Sequence, residues 1–188
     1  MTTPQALFIL EEYQRRRDHP ENHDAYTINE HLETIHHYAC QAGFIVEFGS
    51  GFCNSTWALL AGMPKKMRCY DVNRWSPYFE QVEAAAIMTG MDFAFIKADT
   101  SQVTIDPCDL LFIDSRHTFA HCQAELAHNG SLVGRWIIFH DTTTFGEKGE
   151  DSGTGLWPAI EQFIAANPHW KIKERFTHNN GLTVLERI

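Results

Sequence analysis

The sequence is short of basic charge: 15 Lys and Arg stand against 24 Asp and Glu, a formal net charge of −9. Binding nucleic acid by counterion release needs Lys and Arg on the phosphates, so that class of partner is disfavoured. Cysteines do not pair: Cys40, Cys53, Cys69, Cys108 and Cys122 are scattered singly, odd in number and without a CxxC spacing. Neither a disulfide framework nor a zinc ribbon follows, and free thiols in a reducing cytosol are expected. No run reaches the roughly 18–20 consecutive apolar residues of a membrane span. The opening Met1–Gln5 lacks the basic start and apolar core of a signal peptide. Repeats and low-complexity tracts are missing too. The expectation is a soluble, cytoplasmic protein with no nucleic-acid or membrane partner. What is present in excess is histidine, 11 in 188 residues.

Read along the chain, helical patterns alternate with short apolar runs, and the length suits one domain. Residues 4–17 form an amphipathic helix whose Arg15, Arg16 and Arg17, beside Glu11, Glu12 and Asp18, read as a solvated face. Residues 1–26 are taken as an N-terminal helical extension, too polar for a core and suited to packing on a neighbour in a homo-oligomer. Residues 27–188 are the single main domain. Thr27 with Glu30 reads as a capping box ahead of Ile28, Leu32, Ile35 and Ala39 on one face, with Gly43 closing the helix.

Strands are expected at 45–48, 67–70, 93–97, 110–113 and 135–139, and helices at 55–61, 77–89, 119–128 and 157–166. Strand-like runs 170–177 and 182–187 flank His178–Gly181, an Asn-Gly hairpin signal. The alternation predicts an α/β fold, a doubly wound, mostly parallel sheet with an antiparallel hairpin at its end.

Ligands of such sheets bind outside the carboxyl ends of the strands. The first strand runs into Gly49-Ser50-Gly51, a GxGxxN turn that lets backbone approach a ligand at the next helix N-terminus; a glycine turn without a ligand is the plain alternative. The next strand ends at Asp71, 22 residues after Gly49, placed to bond ribose hydroxyls. Asp99 follows the third strand, within reach of an adenine amino group. Asp114 ends the fourth and His140-Asp141 the fifth. Any one of these acids also suits a helix N-cap.

These residues resemble the class I S-adenosylmethionine-dependent methyltransferases, in particular small bacterial-type enzymes like the catechol O-methyltransferase-like and cephalosporin-hydroxylase-like groups. The carriers are Asn29-Glu30-His31-Leu32, Val46–Gly51 with Ser55-Thr56-Trp57, Asp109–Asp114 with His117, Ile138–Thr142 and Asn179–Val184, spanning about residues 27–187. The resemblance implies a seven-stranded, Rossmann-like methyltransferase fold. It also implies a methyl transfer from S-adenosylmethionine to a small-molecule acceptor, most readily at a hydroxyl oxygen.

By that resemblance Gly49, Ser50 and Gly51 hold the methionine part of the cofactor and Glu47 supports the loop. Asp71 takes the ribose, Asp99 and Thr100 lie beside the adenine, and Asp114 completes the cofactor-binding set. Cys53 departs from the pattern, standing where many members have a third glycine.

Asp114, His140 and Asp141 are expected to converge near the acceptor, a plausible set for Mg²⁺ or Mn²⁺; the resemblance places a metal ligand at each. The metal-free reading makes His140 or His117 the general base. His31 is given a structural or lining role. His36, His37, His121 and His128 are read as surface residues, and His19, His23, His169 and His178 as loop residues without a role. Trp75 and Tyr78 are candidates to flank the adenine, and the Gly-containing loop Thr142–Leu156 is a candidate mobile cover for the acceptor. Two rivals remain: a nicotinamide-dependent oxidoreductase, and a non-catalytic cofactor- or sugar-binding module.

Overall fold

The computed structural model describes residues 3–74 and 77–188. Its core is a seven-stranded sheet with the order β3-β2-β1-β4-β5-β7-β6. The strands are β1 (Phe44–Phe48), β2 (Lys66–Asp71), β3 (Asp92–Lys97), β4 (Cys108–Ile113), β5 (Val133–His140), β6 (Trp170–Phe176) and β7 (Leu182–Arg187). The first five pair in parallel, while β7 runs antiparallel between β5 and β6. The expected doubly wound sheet and closing hairpin are both present. Strand order reverses at β1/β4, which puts a crevice at the carboxyl ends of those two strands.

Alternate residues of each central strand feed two apolar layers. Ile45, Met67, Leu110, Phe112 and Ile138 face α1 (Pro4–Asp18), α2 (Leu32–Ala39), α3 (Asn54–Ala61) and α4 (Tyr78–Met88). Val46, Phe48, Leu111, Ile137 and Phe139 face α5 (Phe119–Asn129) and α6 (Trp157–Ala166). Burial on both faces explains why β1, β4 and β5 read as continuous apolar runs rather than alternating ones.

The N-terminal segment departs from expectation in two ways. It packs on its own chain: Ile9 and Tyr13 belong to the first apolar layer, against α3. Nor is the arginine cluster uniformly solvated. Arg16 is buried, its Nη1 donating to a Glu12 carboxylate oxygen at 2.8 Å and to the Glu12 carbonyl at 2.9 Å, with the guanidinium 5.0 Å from the Trp57 ring centroid. Arg15 and Arg17 keep the solvent-facing role.

The capping box at Thr27 does not form. Residues 29–31 make a 3₁₀ turn, the helix proper starts at Leu32, and no side chain caps either start. Instead the Thr27 carbonyl lies 3.0 Å from His140 Nε2, a contact across the fold that replaces a local one. Ile28, Leu32, Ile35 and Ala39 are buried as expected. Gly43 lies past the helix end, and its N–H donates to Asp109 at 2.7 Å.

Candidate active site

The turn after β1 is built from backbone that only small residues tolerate well. Gly49 has φ +81°, and a Cβ there would lie 2.1 Å from the Asp114 carbonyl oxygen. Its N–H donates to the Tyr70 carbonyl at 2.9 Å, and the Asp114 N–H donates to the Phe48 carbonyl at 2.8 Å. The turn is thus wedged between the ends of β2 and β4. Cys53 takes the left-handed conformation that leads into α3. Its side chain is buried in the core behind the turn, so it does not narrow the crevice.

A cleft of about 490 Å³ opens beside this turn, bordered by Gly49, Gly51, Asp71, Asp99, Thr100, Asp114, Ser115 and His121 among others. That volume suits a nucleoside-sized ligand. A smaller hollow of about 160 Å³ lies on the other side, between the turn and Asp24, Thr27, Ile28 and Asn54. Gly49, Gly51 and Asp114 border both.

Asp71 ends β2 and ties down the turn: one oxygen accepts from Ser50 N–H at 2.9 Å and Gly51 N–H at 3.2 Å, and the other from Asn73 N–H at 2.9 Å. Asp99 accepts from the Ser101 hydroxyl at 2.7 Å and its N–H at 3.0 Å. Those bonds, the hydroxyl first, hold its carboxyl below the usual range. Thr100 borders the cleft, but its hydroxyl donates to Glu125 at 2.5 Å.

His121 is not the surface residue expected. Its Nε2 lies 2.9 Å from the Thr100 hydroxyl and 3.2 Å from Glu125, and its ring borders the cleft. The i, i+4 spacing to Glu125 on α5 was the signal that could have found it. Tyr78 packs edge-on against Phe52, ring centroids 5.5 Å apart, and does not border the cleft. Trp75 lies outside the described residues.

Glu47 faces away from the cleft, fully buried beneath α3. It accepts from the Ser55 hydroxyl at 2.6 Å, the Thr56 hydroxyl at 2.8 Å and the Cys69 thiol at 3.1 Å. Burial pushes its carboxyl up to about 7 against the pull of those donors. A carboxyl raised on folding holds a proton that the unfolded chain releases near pH 4. Its contribution to stability is therefore greatest at low pH and is lost as the pH rises through 7. Glu47→Gln is expected to gain on the wild type by roughly 2 kcal/mol between pH 5 and 8. Parallel thermal unfolding curves at the two pH values check this, and a constant gap between the proteins would refute it.

Asp114, which borders the cleft, also converges with His140 and Asp141, one ligand atom from each lying within 4.8 Å of the others. His140 Nδ1 is 3.2 Å from Asp114 Oδ1 and 3.5 Å from Asp141 Oδ1. His117 joins them from the turn after β4. Its Nε2 is 3.2 Å from Asp114 Oδ1 and 3.1 Å from Asp141 Oδ2, and its Nδ1 is 3.2 Å from Glu150.

The electrostatics follow from burial against pairing. Burial alone would raise Asp114, but His140 and His117 outweigh it and hold the carboxyl well below its ordinary value. Burial would lower His140, but Asp114 and Asp141 push it up to about 9. Asp141, in the left-handed region at φ +59°, is raised by burial and by the Asp114 charge. Its buried Oδ1 has no hydrogen-bond partner, the mark of a group that suits a cation.

His31 backs this cluster, its ring 5.9 Å from His140 and 4.8 Å from His178, with Nε2 3.0 Å from the His178 carbonyl. Burial first, and then the neighbouring His140, keeps it low at about 4. His178, expected to be an idle loop residue, is thereby part of the surround. His36 is half-buried, stacked on Tyr13, while His37 and His128 are exposed as expected.

The loop 142–156 lies over the cluster and is pinned rather than loose. Phe145 stacks on His117 at 4.8 Å, Glu150 N–H donates to the His117 carbonyl, and Phe119 N–H donates to the Thr154 carbonyl. Two of its glycines serve close packing: a Cβ on Gly146 would meet the Thr142 carbonyl oxygen at 2.3 Å, and one on Gly155 the Phe145 oxygen at 2.2 Å.

This sheet order, with its antiparallel β7, and this crevice define the fold of the class I S-adenosylmethionine-dependent methyltransferases. Among solved structures, the O-methyltransferase from Bacillus cereus in complex with SAH aligns with a TM-score of 0.64 at 16% identity, covering 96% of this chain and 90% of that one. An SAH-bound methyltransferase from Podospora anserina aligns at 0.60 and 16% identity, over 99% and 89%. The magnesium protoporphyrin IX methyltransferase from Synechocystis with bound SAM aligns at 0.61 and 12% identity, over 94% and 90%. No protein-family description and no curated protein sequence matches the chain. No helix among the described residues is long and apolar enough to cross a membrane.

Proposed function

We propose that this chain is a methyltransferase that moves a methyl group from S-adenosylmethionine to a hydroxyl oxygen of a small-molecule acceptor. The observation that carries the reading is the shared border. Gly49 and Gly51 of the wedged turn, with Asp114, line both the larger cleft, which Asp71 and Asp99 also border, and the smaller hollow. A cofactor in the first can thus meet an acceptor in the second. That structures of this fold have been solved with SAH or SAM supports S-adenosylmethionine as the cofactor.

The cofactor supplies an electrophilic methyl group on a cationic sulfur. The chain's work is binding and positioning. The turn brings backbone to the amino-acid part, while Asp71 and Asp99 present carboxylates to the ribose and adenine. Asp114, His140 and Asp141 fit a divalent ion by donor type and by the unpartnered Asp141 oxygen. An ion held there would lower the pKa of the acceptor hydroxyl and orient its oxygen. Without one, the imidazoles of His140 and His117 are the groups placed to handle the acceptor's proton. Loop 142–156, laid across His117, would bound the acceptor.

Titration calorimetry with SAH, SAM and NADH tests the reading. Heat is expected with SAH and SAM and none with NADH, and Asp71→Ala should weaken SAH on the order of 10–100-fold, as loss of charged hydrogen-bonding groups does. Heat with NADH and none with SAM would establish the oxidoreductase alternative instead.

A further inference from the structure

We propose that His117 is a fourth ligand of the Asp114–His140–Asp141 site, and that this site takes a first-row transition-metal dication in preference to Mg²⁺. The ring nitrogens that point away from the cluster fix the role of those that point into it. His140 Nε2 lies 3.0 Å from the Thr27 carbonyl, which can only accept, so this nitrogen carries a proton whatever the charge of the ring, and Nδ1 is the nitrogen that a metal would take in place of a proton. That Nδ1 faces Asp114 and Asp141.

His117 repeats the arrangement with its nitrogens exchanged. Its Nδ1 is 3.2 Å from the Glu150 carboxylate, and its Nε2 faces the same two aspartates. An outer acceptor that fixes the tautomer and aims the second nitrogen inward is the usual support of a metal-ligating histidine. Here two histidines from different turns have it, aimed at one pair of carboxylates.

The spacing agrees. Asp114 Oδ1 lies 3.2 Å from each histidine nitrogen, and Asp141 offers Oδ2 to His117 at 3.1 Å and Oδ1 to His140 at 3.5 Å, so His117 joins the compact set of Asp114, His140 and Asp141 from the Asp141 Oδ2 side. Ligand bonds of about 2.0–2.1 Å place neighbouring donors of one small ion at about 3 Å from each other. An independent observation points the same way: Asp141 is nine-tenths buried, with an Oδ1 that no hydrogen bond satisfies. Stacking on Phe145 holds the His117 ring in place.

Donor chemistry then sets the metal. Two imidazoles with two carboxylates suit Mn²⁺ through Zn²⁺, whereas Mg²⁺ favours an all-oxygen set and keeps its waters. As a ligand, His117 would have both nitrogens committed, which removes it as a general base.

The proposal rests on the reading of this cluster as the acceptor end of a methyl-transfer site, and the test separates the two. EDTA-treated full chain is titrated with CoCl₂ and followed by visible absorption, with SAH calorimetry on the same samples as the check of fold and cofactor cleft. Wild type is expected to develop the ligand-field bands of nitrogen-ligated Co²⁺, saturating at one equivalent and persisting in a large excess of MgCl₂. Glu150→Gln, a change at a half-exposed side chain, should weaken Co²⁺ about tenfold. His117→Ala and His117→Gln should weaken it more and alter the band shape, with SAH binding retained in all three variants. Displacement of Co²⁺ by comparable Mg²⁺ would overturn the proposal, as would His117 variants with wild-type affinity and spectrum. If SAH fails to bind wild type while Co²⁺ binds as described, the methyltransferase reading falls and the metal site stands.

Discussion

Gly49→Ala is expected to destabilise the protein by about 3–5 kcal/mol, placing it in the severe tail of point substitutions, and to abolish SAH binding. Two costs add. An alanine at φ +81° pays about 1–2 kcal/mol for the left-handed region. Its Cβ would also stand 2.1 Å from the Asp114 carbonyl oxygen and 2.9 Å from Ser115 Cα, both backbone atoms with no rotamer to yield. Relief requires the ends of β1 and β4 to separate, breaking the 2.8 Å bond from Asp114 N–H to Phe48 and moving a residue that borders both hollows. For a chain of this size the Tm should fall by roughly 10 °C. Gly51→Ala is the control: its φ is +43°, but a Cβ there meets nothing within 4 Å, so only the conformational cost of about 1 kcal/mol applies. Equal losses from the two substitutions would refute the crowding argument.

Arg16→Ala should cost about 1–3 kcal/mol in urea unfolding, because it leaves one oxygen of the buried Glu12 carboxylate without its donor while the other keeps Arg15. Much of that is the penalty on the carboxylate left behind rather than the worth of the pair. The double substitution Glu12→Leu with Arg16→Met therefore should recover stability to within about 1 kcal/mol of wild type, since apolar groups of similar volume remove the desolvation cost. The Arg16 guanidinium also covers the Trp57 ring, and methionine keeps that contact. A single substitution within about 0.5 kcal/mol of wild type, the range of ordinary surface changes, would show that the pair is immaterial.

What the sequence made legible were features written in local pattern. The apolar runs located the strands, and the residues at or just past their ends (Asp71, Asp99, Asp114, His140, Asp141) mark the carboxyl edge, where open α/β sheets bind their ligands. The Asn-Gly turn announced β6 and β7 for the same local reason. Illegible features depend on partners distant in the chain. Arg16 reads as solvent-facing until Trp57 lies against it. Thr27 reads as a cap until His140, 113 residues away, claims its carbonyl. His117 looked like one histidine near one aspartate, and only the return of loop 142–156 supplies Glu150 and Phe145 on its other sides. The loop's glycines looked like freedom, but Gly146 and Gly155 allow backbone to pass close by.

The antiparallel insertion of β7 also sets an order in time. Asp71 reaches the glycine turn across 20 or 21 residues, so this corner of the crevice closes over a short loop. The histidine–carboxylate half waits for contacts that span most of the chain. His31 meets the His178 carbonyl across 147 residues, and Glu30 N–H meets Asn179 across 149. Such contacts form late, since ring closure must be met before they contribute. On a ribosome, the cleft around Asp71 would take shape while β6 and β7 were still inside the exit tunnel. The two ends of one crevice would then have different birthdays.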